Sequence, residues 1–216
     1  MQNTPCPLCQ ADVNTSAIYF QDKKRPYHQC HRCALVFVPS RYHLTQQAEK
    51  EEYDKHQNEL EDEGYLRFLS RLYLTLNNRL APNSEGLDFG CGPGPALAHK
   101  LSQLGYPTAK YDLYYFPDKR VLEKQYDFVT CTEVVEHLAH PMLQIEQMLE
   151  CLKPGGTLAL MTKLVIDQQR FATWHYKNDP THISFFSRET FEYIASELRL
   201  TVEFIAADVI FISKVQ

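Results

Sequence analysis

Hydrophobic positions along this chain switch between helical spacing and short strand-like runs. From residue 64 to residue 80, leucines and tyrosines recur every three or four positions, which is typical of an amphipathic helix. Elsewhere, short apolar runs bounded by glycine, proline or acidic residues indicate strands. The pattern predicts helices over 64–80, 96–104, 141–152 and 187–198, and strands ending near 89 and 112 and covering 126–133, 157–162, 201–206 and 209–214. Strands that alternate with helices favour an α/β sheet.

The most informative stretch is the turn after the first of these strands. Leu87-Asp88-Phe89-Gly90-Cys91-Gly92-Pro93-Gly94 places an acidic residue before three glycines at alternate positions. Glycine brings backbone N–H groups close to a ligand because it has no Cβ and tolerates positive φ. A ligand held there lies at the carboxyl end of a strand and the start of a helix, where open α/β sheets form their crevices.

The residues around this turn favour a cationic ligand over a dinucleotide. The dinucleotide fingerprint needs a third glycine at the position that Pro95 occupies. A carboxylate at Asp88 would repel a pyrophosphate and attract a cation, and S-adenosylmethionine carries both an ammonium and a sulfonium. A second acidic residue, Asp112, follows 24 residues later. A strand-end carboxylate at that offset accepts hydrogen bonds from ribose hydroxyls.

These segments resemble those of the class I S-adenosylmethionine-dependent methyltransferases. Residues 87–94 are similar to their first motif, Asp112 to their ribose-binding acid, and 126–133 to their fourth strand. The resemblance spans residues 64–216 and implies a Rossmann-like sheet, mostly parallel with an antiparallel last strand, with helices on both faces. It implies cofactor-binding roles for Asp88, Phe89, Gly90, Cys91, Gly92, Gly94, Asp112, Leu113, Thr132, Glu133 and His137.

The resemblance also implies an acceptor site in the loop after the fifth strand. Methyl transfer needs alignment of the nucleophile with the methyl group, and a base only when that nucleophile must lose a proton. Histidine suits this task near neutral pH, so the candidates are His182 as base or acceptor-orienting group, Asp179 holding it, and His175. Trp174 and Tyr176 would line the acceptor pocket. Purely structural roles for His137 and His182 stay open.

One segment departs from the family pattern. Only 14 positions separate Asp112 from Tyr126, too few for a helix, a third strand and a return. The family's adenine contacts often come from the end of that strand, so they stay unassigned here. Leu113, Tyr114 and Tyr115 either stack on the adenine or pack in the core.

Four cysteines near the amino terminus form two pairs with metal-ligand spacing. Cys6 and Cys9, then Cys30 and Cys33, fit C-x2-C…C-x2-C. Two such turns supply the closed tetrahedral shell of structural zinc, and a redox pair is the alternative. A segment of about 40 residues has too little core to fold alone, so zinc should stabilise it. We therefore predict a zinc ribbon over residues 1–43, and simple buried thiols at Cys91, Cys131 and Cys151.

Residues 44–63 are polar and strongly acidic, and they link the ribbon to the predicted methyltransferase domain at 64–216. One interpretation is a solvated connector with a helix at its centre. The other is a lid over the cofactor cleft, with Tyr53, His56 and Asn58 facing inward. Relatives in the resembled family often cap their site with such an extension.

Charge narrows the choice of acceptor. The net charge is −5, but residues 1–43 carry a net +3 and the rest therefore −8. An acidic main domain binds phosphate backbones poorly, so we expect a small-molecule acceptor. The alternatives are an RNA methyltransferase that holds nucleic acid with its ribbon, and a non-catalytic S-adenosylmethionine-binding protein. Without an apolar run of about 18 residues or a signal peptide, the chain is expected to be cytoplasmic with no membrane partner; the oligomeric state stays open.

Overall fold

The computed structural model of the chain describes residues 3–14, 17–55, 60 and 62–214. Its strands, in chain order, are β1 (Asn3–Pro5), β2 (Asp12–Asn14), β3 (Phe20–Gln21), β4 (Pro26–Gln29), β5 (Val36–Phe37), β6 (Gly86–Phe89), β7 (Thr108–Tyr111), β8 (Tyr126–Thr132), β9 (Leu152–Met161), β10 (Ser184–Phe185), β11 (Leu200–Phe204) and β12 (Val209–Lys214). Its α-helices are α1 (Gln46–Tyr53), α2 (Glu63–Asn77), α3 (Ala96–Gln103), α4 (Pro141–Glu150), α5 (Gln168–Thr173) and α6 (Arg188–Leu198). Short 3₁₀ turns cover Ser40–Tyr42, Lys119–Glu123, Val135–His137 and His175–Asn178.

Six strands form the main sheet in the order β7-β6-β8-β9-β12-β11. Strand β6 pairs in parallel with β7 and β8, and β8 pairs in parallel with β9. Strand β12 runs antiparallel to both β9 and β11. The predicted Rossmann-like sheet with an antiparallel end is thereby confirmed. Strand β7 forms one edge because the chain returns from it to β8 through a turn and the 3₁₀ segment Lys119–Glu123, without a third strand.

Helices cover both faces of this sheet, as predicted. On one face, α2 and α3 bury leucines against Phe128 and Phe211. On the other face, α4 and α6 contribute Ile145 and Phe191 to a second apolar cluster. Helix α6 begins with a capping box between Ser187 and Thr190. Among the described residues, none of the helices combines the length and apolar character needed to cross a bilayer.

Strand β9 begins earlier than the pattern predicts. It starts at Leu152, whereas the apolar run suggested 157, because Pro154-Gly155-Gly156 reads as a turn. In the structure this stretch belongs to the strand and lies where the pairing register with β8 shifts between Tyr126 and Phe128. Between these two pairs β8 advances by two positions and β9 by five, so the irregularity accommodates three extra residues of β9 without ending the pairing.

The amino-terminal residues share a sheet with the loop that was predicted to hold the acceptor. A four-stranded sheet runs in the order β10-β5-β4-β3. In it, Phe37 pairs with Ser184 and Val36 with Phe185. The rings of Tyr27, Phe171 and Phe185 then pack together at edge-to-face angles. The ribbon is thus joined to the rest of the chain by backbone pairing and by an aromatic cluster, although the boundary at residue 43 stays a prediction.

Candidate functional site

The glycines between β6 and α3 serve two different purposes. Gly90 has a φ of +74°, and a Cβ there would lie 2.5 Å from a methyl carbon of Val134. The backbone therefore packs directly against the segment after β8. Gly92 has a φ of +63°, but no described atom lies within 4 Å of a Cβ built there. Gly90 closes the turn against the protein, whereas Gly92 leaves space on its outer side for a ligand.

The carboxyl group of Asp88 faces the protein interior. The side chain is only 2% exposed, Thr130 Oγ1 donates a hydrogen bond to Oδ1 at 2.8 Å, and the backbone N–H of Ala98 also donates to the carboxyl group. Burial raises the pKa of Asp88 to about 6. Asp88 therefore ties β6 to β8 and to the first turn of α3. Any attraction that it exerts on a bound cation acts across the intervening turn.

Asp112, the predicted ribose-binding acid, lies beside the glycine turn. Its Oδ2 accepts a hydrogen bond from Gly92 N at 3.0 Å. Its Oδ1 accepts from the backbone N–H groups of Tyr114 and Tyr115, at 2.8 and 3.1 Å. Three backbone donors therefore hold the carboxylate in one orientation. The next residue, Leu113, is 56% exposed and does not pack in the core.

The other predicted cofactor residues line the same strand ends. Phe89 is buried, with its ring 5.1 Å from that of Tyr111. Cys91 is half-buried, and burial raises the pKa of its thiol. Thr132 is the last residue of β8 and pairs with Met161. Gly94 precedes α3 and its carbonyl accepts from the N–H of Ala96 at 2.7 Å. The thiols of Cys131 and Cys151 are buried, as predicted.

Helix α1 packs across these strand ends through tyrosine–carboxylate hydrogen bonds. Glu49 accepts hydrogen bonds from the hydroxyls of Tyr53 and Tyr114, at 3.1 and 2.6 Å. Asp54 accepts from the hydroxyl of Tyr115 at 2.7 Å. The hydroxyls of Tyr114 and Tyr115 are therefore both hydrogen-bonded to carboxylates of α1 or of the residue that ends it.

Two tyrosines from the segment that precedes the main sheet lie close to the site. The Tyr53 ring lies 5.3 Å from that of His137. Tyr65 of α2 is near enough to the carboxyl groups of Asp88 and Glu133 for them to add to the burial that raises its pKa to about 12. Sequence reasoning found Tyr53 but missed Tyr65, which had no signal beyond its helical position. His56 and Asn58, which were predicted to face inward, lie outside the described residues.

The end of β8 carries two buried carboxyl groups. Glu133 has a φ of +52°, a left-handed conformation that costs free energy for a residue with a side chain. Its Oε1 has no hydrogen-bond partner among the described atoms. Glu136 accepts hydrogen bonds from the Tyr176 hydroxyl and, at 3.0 Å, from Thr162 Oγ1. Burial raises the pKa of Glu136 to about 7, and burial together with the neighbouring Glu136 raises the pKa of Glu133 to about 8.

His137 and His182 lie side by side, with ring centroids 4.6 Å apart. The Nδ1 atom of His182 is 2.7 Å from the carbonyl oxygen of Tyr176, and that of His137 is 3.2 Å from the carbonyl oxygen of Thr181. Because a carbonyl only accepts, each Nδ1 carries the proton. Burial lowers the pKa of His182, against an opposing effect of Asp179, so its imidazole is neutral at pH 7.

Asp179 lies on the other side of His182 from the position expected of an orienting partner. Its Oδ2 is 3.8 Å from His182 Nε2, beyond hydrogen-bond distance. Its Oδ1 accepts hydrogen bonds from the backbone N–H and hydroxyl of Thr181. The carbonyl of Tyr176, not Asp179, therefore orients the His182 ring.

The structure separates the remaining predicted acceptor residues. Tyr176 joins the carboxyl cluster through its hydroxyl, as described above. Trp174 stacks on the Tyr176 ring at 5.0 Å and lines a small cavity of about 160 Å³ with Val165 and Phe171. His175 is exposed and contacts Lys163 Nζ at 3.4 Å. Of the three candidate catalytic residues, His182 and Asp179 come together, and His175 does not join them.

A buried arginine from the ribbon was missed by sequence reasoning. Arg25 is 6% exposed, and its Nε donates to the Tyr27 hydroxyl at 3.1 Å. Its two terminal nitrogens lie within 2.7–3.0 Å of four backbone carbonyl oxygens, those of Lys177, Asp179, Pro180 and His182. In the sequence it is one of several basic residues in the ribbon, which favoured a solvated face. These four carbonyls lie more than 150 positions away in the chain, so no local signal could reveal them.

The four ribbon cysteines come together as the spacing predicts. The Sγ atoms of Cys6 and Cys33 are 3.5 Å apart, as are those of Cys9 and Cys30, and all four lie within 4.8 Å of one another. Zn–S bonds of about 2.3 Å in a tetrahedron separate the sulfurs by about 3.8 Å, so the cluster fits a zinc ion. Each turn is closed by a residue with positive φ, Gln10 and Ala34. Described cysteines form no disulfide.

A second group with metal-binding side chains is Glu136, His137 and His182, whose potential ligand atoms also lie within 4.8 Å of one another. Both oxygens of Glu136 already accept hydrogen bonds, from the hydroxyls of Tyr176 and Thr162. The cysteine cluster is therefore the better candidate metal site.

Comparisons with known proteins show the family and the fold of this chain. The family described as a methyltransferase domain matches residues 55–203. The ubiquinone biosynthesis O-methyltransferase of Xanthomonas campestris pv. campestris (strain B100) is 31% identical over 105 residues. That match covers 38% of this chain and 44% of the relative, so it spans less than half of the relative's length. The solved 1,6-didemethyltoxoflavin N1-methyltransferase of Burkholderia thailandensis, bound to S-adenosylhomocysteine, is 13% identical with a TM-score of 0.51, over 91% of this chain and 98% of that one; it shows a shared fold.

Replacing Arg25 should loosen the segment that carries His182. In Arg25→Met the four carbonyls lose their buried donor, so we expect the free energy of unfolding to fall by at least about 3 kcal/mol. Hydrogen exchange should accelerate in residues 176–185. Arg32→Met is the matched control, since Arg32 is an exposed ribbon arginine paired with Glu197. Unchanged exchange protection in Arg25→Met would contradict the assigned role.

The buried carboxyl pair should make stability fall as pH rises. The folded protein holds protons on Glu133 and Glu136 up to about pH 8 and 7, whereas an ordinary glutamate releases its proton near 4.5. Stability is therefore lost between about pH 4.5 and 8. Urea unfolding of Glu136→Gln across this range should show a flatter dependence than the wild type. The exposed Glu150→Gln variant should keep the wild-type slope; equal slopes in all three proteins would exclude the pair as the cause.

Proposed function

Because the chain belongs to the methyltransferase-domain family, we propose that it is an S-adenosylmethionine-dependent methyltransferase acting on a small-molecule acceptor. The proposal rests on the open space beside Gly92, at the ends of two parallel strands. The backbone N–H of Gly92 donates a hydrogen bond to Asp112 Oδ2 there, at 3.0 Å. This is the crevice position at which α/β sheets bind nucleoside ligands. A neighbouring buried carboxyl oxygen on Glu133 still lacks a hydrogen-bond donor.

The residues of the crevice fit the cofactor's chemistry. Asp112 has one oxygen with a single backbone donor, so that oxygen can accept a further hydrogen bond from a ribose hydroxyl. Gly90 and Gly92 present backbone groups without a Cβ in the way. The unpartnered oxygen of Glu133 would accept from the cofactor's ammonium group. When bound, the cofactor supplies a methyl group already activated for displacement by its sulfonium.

In this proposal, the histidine pair removes the proton that the acceptor loses on methylation. We assign His182 as the general base, because its Nδ1–H is fixed on the Tyr176 carbonyl and its neutral Nε2 can accept a proton. The carboxylate of Asp179, 3.8 Å from Nε2, would stabilise the imidazolium that forms. The Tyr176 hydroxyl donates a hydrogen bond to Glu136, and this bond helps to hold the histidine pair in place. A hydroxyl acceptor suits this arrangement, and the Xanthomonas relative is named as an O-methyltransferase.

Helix α1 completes the site as a lid. It lies over the Asp112 turn through Tyr114 and reaches His137 through Tyr53. A cover at this place would exclude water from the reacting groups. Since α1 is attached by tyrosine–carboxylate hydrogen bonds and by the Tyr53 ring, and none of its residues is buried, it can separate from the crevice to admit ligands.

The amino-terminal cluster is proposed to hold one structural zinc ion. Four thiolates close the coordination shell, so no position is open for substrate or water. The ion would keep β4 and β5 in place, and β5 in turn pairs with β10 of the His182 segment. Its contribution to activity is therefore indirect, through that segment.

Substitution of Gly92 should separate ligand binding from folding. Gly92→Ala places a methyl group in the open space, so the affinity for S-adenosylhomocysteine should fall more than about tenfold. Gly105→Ala is the matched control, because Gly105 also has positive φ and an open Cβ position. Both variants should lose similar stability, about 1 kcal/mol. Isothermal titration calorimetry on zinc-replete protein measures the affinities.

The same experiment includes His182→Gln as a companion variant. It should bind S-adenosylhomocysteine like the wild type, while turnover with hydroxyl-bearing small molecules falls about 10²–10⁴-fold. Full turnover in this variant would reduce His182 to a structural residue. If neither S-adenosylmethionine nor S-adenosylhomocysteine produces heat with the wild-type protein, the proposed function is wrong.

Removing the metal should disturb the ribbon and the His182 segment together. Elemental analysis is expected to find one zinc per chain in the wild type and in Cys151→Ser, and none in Cys9→Ser. Chelation or Cys9→Ser should lower the melting temperature and accelerate hydrogen exchange at β10. Zinc retained by Cys9→Ser would contradict four-cysteine coordination.

A further inference from the structure

A cavity of about 450 Å³ lies between the ribbon and the residues that precede His182. Four cationic side chains line it, together with the single carboxylate of Asp22: they belong to Lys23, Lys24, Arg25 and Lys177. None of the described residues of the glycine turn, and neither His137 nor His182, contributes to its lining. The cavity is therefore distinct from the crevice assigned to the cofactor.

The positive charge of this cavity is not balanced by the protein. Asp22 already accepts hydrogen bonds from the backbone N–H groups of Lys24 and Arg25 and from the Tyr27 hydroxyl. Within the described part of the chain, Lys23, Lys24 and Lys177 form no ion pair. The lining thus presents three ammonium groups whose natural complement is an anion.

Of the three lysines, Lys177 gives the strongest indication of an anion site. The residue is 6% exposed, and within the described part of the chain its ammonium contacts the Asn178 side-chain oxygen, at 3.3 Å, and the face of the Phe20 ring, at 5.1 Å. Burying an ammonium group without a carboxylate costs free energy. A bound anion would offset that cost, because charge-assisted hydrogen bonds are the strong ones.

The size and charge of the cavity point to one class of ligand. Its volume lies within the range of small-molecule sites. Lys23 and Lys24 lie on the exposed turn between β3 and β4, whereas Lys177 is buried. Three ammonium groups match the double charge of a phosphate monoester better than the single charge of a carboxylate. We propose that this cavity binds the phosphate group of a small molecule, such as a phosphorylated sugar.

The same backbone segment separates the cavity from the histidine pair. Lys177 and Pro180 line the cavity, whereas the carbonyls of Tyr176 and Thr181 hold His182 and His137. Arg25 belongs to the cavity lining and donates to this segment's carbonyls. A phosphate in the cavity would therefore restrain the residues that position His182. Binding itself requires no methyl transfer, so the inference stands independently of the proposed function.

Calorimetry with inorganic phosphate and glucose 6-phosphate tests this site, with glucose and sodium chloride as reference titrations. We expect both phosphates to bind, and the dissociation constant to rise at least about tenfold in Lys23→Ala/Lys24→Ala and in Lys177→Met. Lys119→Ala/Lys124→Ala is the matched control, because it removes two exposed lysines elsewhere. The affinity for S-adenosylhomocysteine should be the same in all these proteins.

Three outcomes would overturn the inference. One is that neither phosphate binds at about 10 mM. Another is an equal loss of affinity in the control. The third is that a short oligoribonucleotide binds through these lysines and is not displaced by glucose 6-phosphate, which would indicate an RNA surface instead. If Lys177→Met fails to fold, the exposed double variant still decides the question. Slower hydrogen exchange in residues 176–182 with phosphate would support the restraint of the segment.

Discussion

Arg25 places a permanent positive charge inside the protein, surrounded by four backbone carbonyls of residues 177–182. A guanidinium cannot lose its proton at accessible pH, so its burial is stable only when its donors are satisfied. The carbonyls, in turn, have in Arg25 a hydrogen-bond donor from the ribbon. This mutual dependence joins a ribbon with little core of its own to the segment that carries His182. The pairing of β5 with β10 reinforces the same connection.

A consequence is that the histidine pair is supported by two distant parts of the chain. From the ribbon side, Arg25 sets the backbone path of the segment. From the sheet side, Glu136 accepts the Tyr176 hydroxyl, and its carbonyl accepts the N–H of Ile183 at 2.9 Å. Because the Tyr176 carbonyl orients the ring of His182, both supports converge on one imidazole. Preorganisation of this kind is what a positioned acid or base requires.

The acidic character of the site has a structural cause. Glu133, Glu136 and Asp88 are drawn from the ends of adjacent parallel strands into the interior, where burial raises the pKa of each. Protonation near neutrality lessens the repulsion between the two glutamates. The left-handed backbone at Glu133 aims its side chain into this cluster at a cost in conformational energy. Helix α1 is polar, has no buried residue and is attached by tyrosine–carboxylate hydrogen bonds, so this part of the molecule opens more easily than the sheet.

The sequence by itself determined the sheet class, the glycine turn and the strand-end acid Asp112, because each is a local pattern in the chain. For the same reason it showed that the segment after Asp112 is too short for a third strand, and that the four amino-terminal cysteines have metal-ligand spacing. It also pointed to the segment around His182, though not to which residues there meet: His175 stands apart, and Asp179 lies at the other ring nitrogen. Only the tertiary structure decided the place of Arg25, the left-handed turn at Glu133, the orientation of His182 and the basic cavity beside Lys177. These depend on contacts between segments up to 157 positions apart, and residue spacing along the chain carries no information about such contacts.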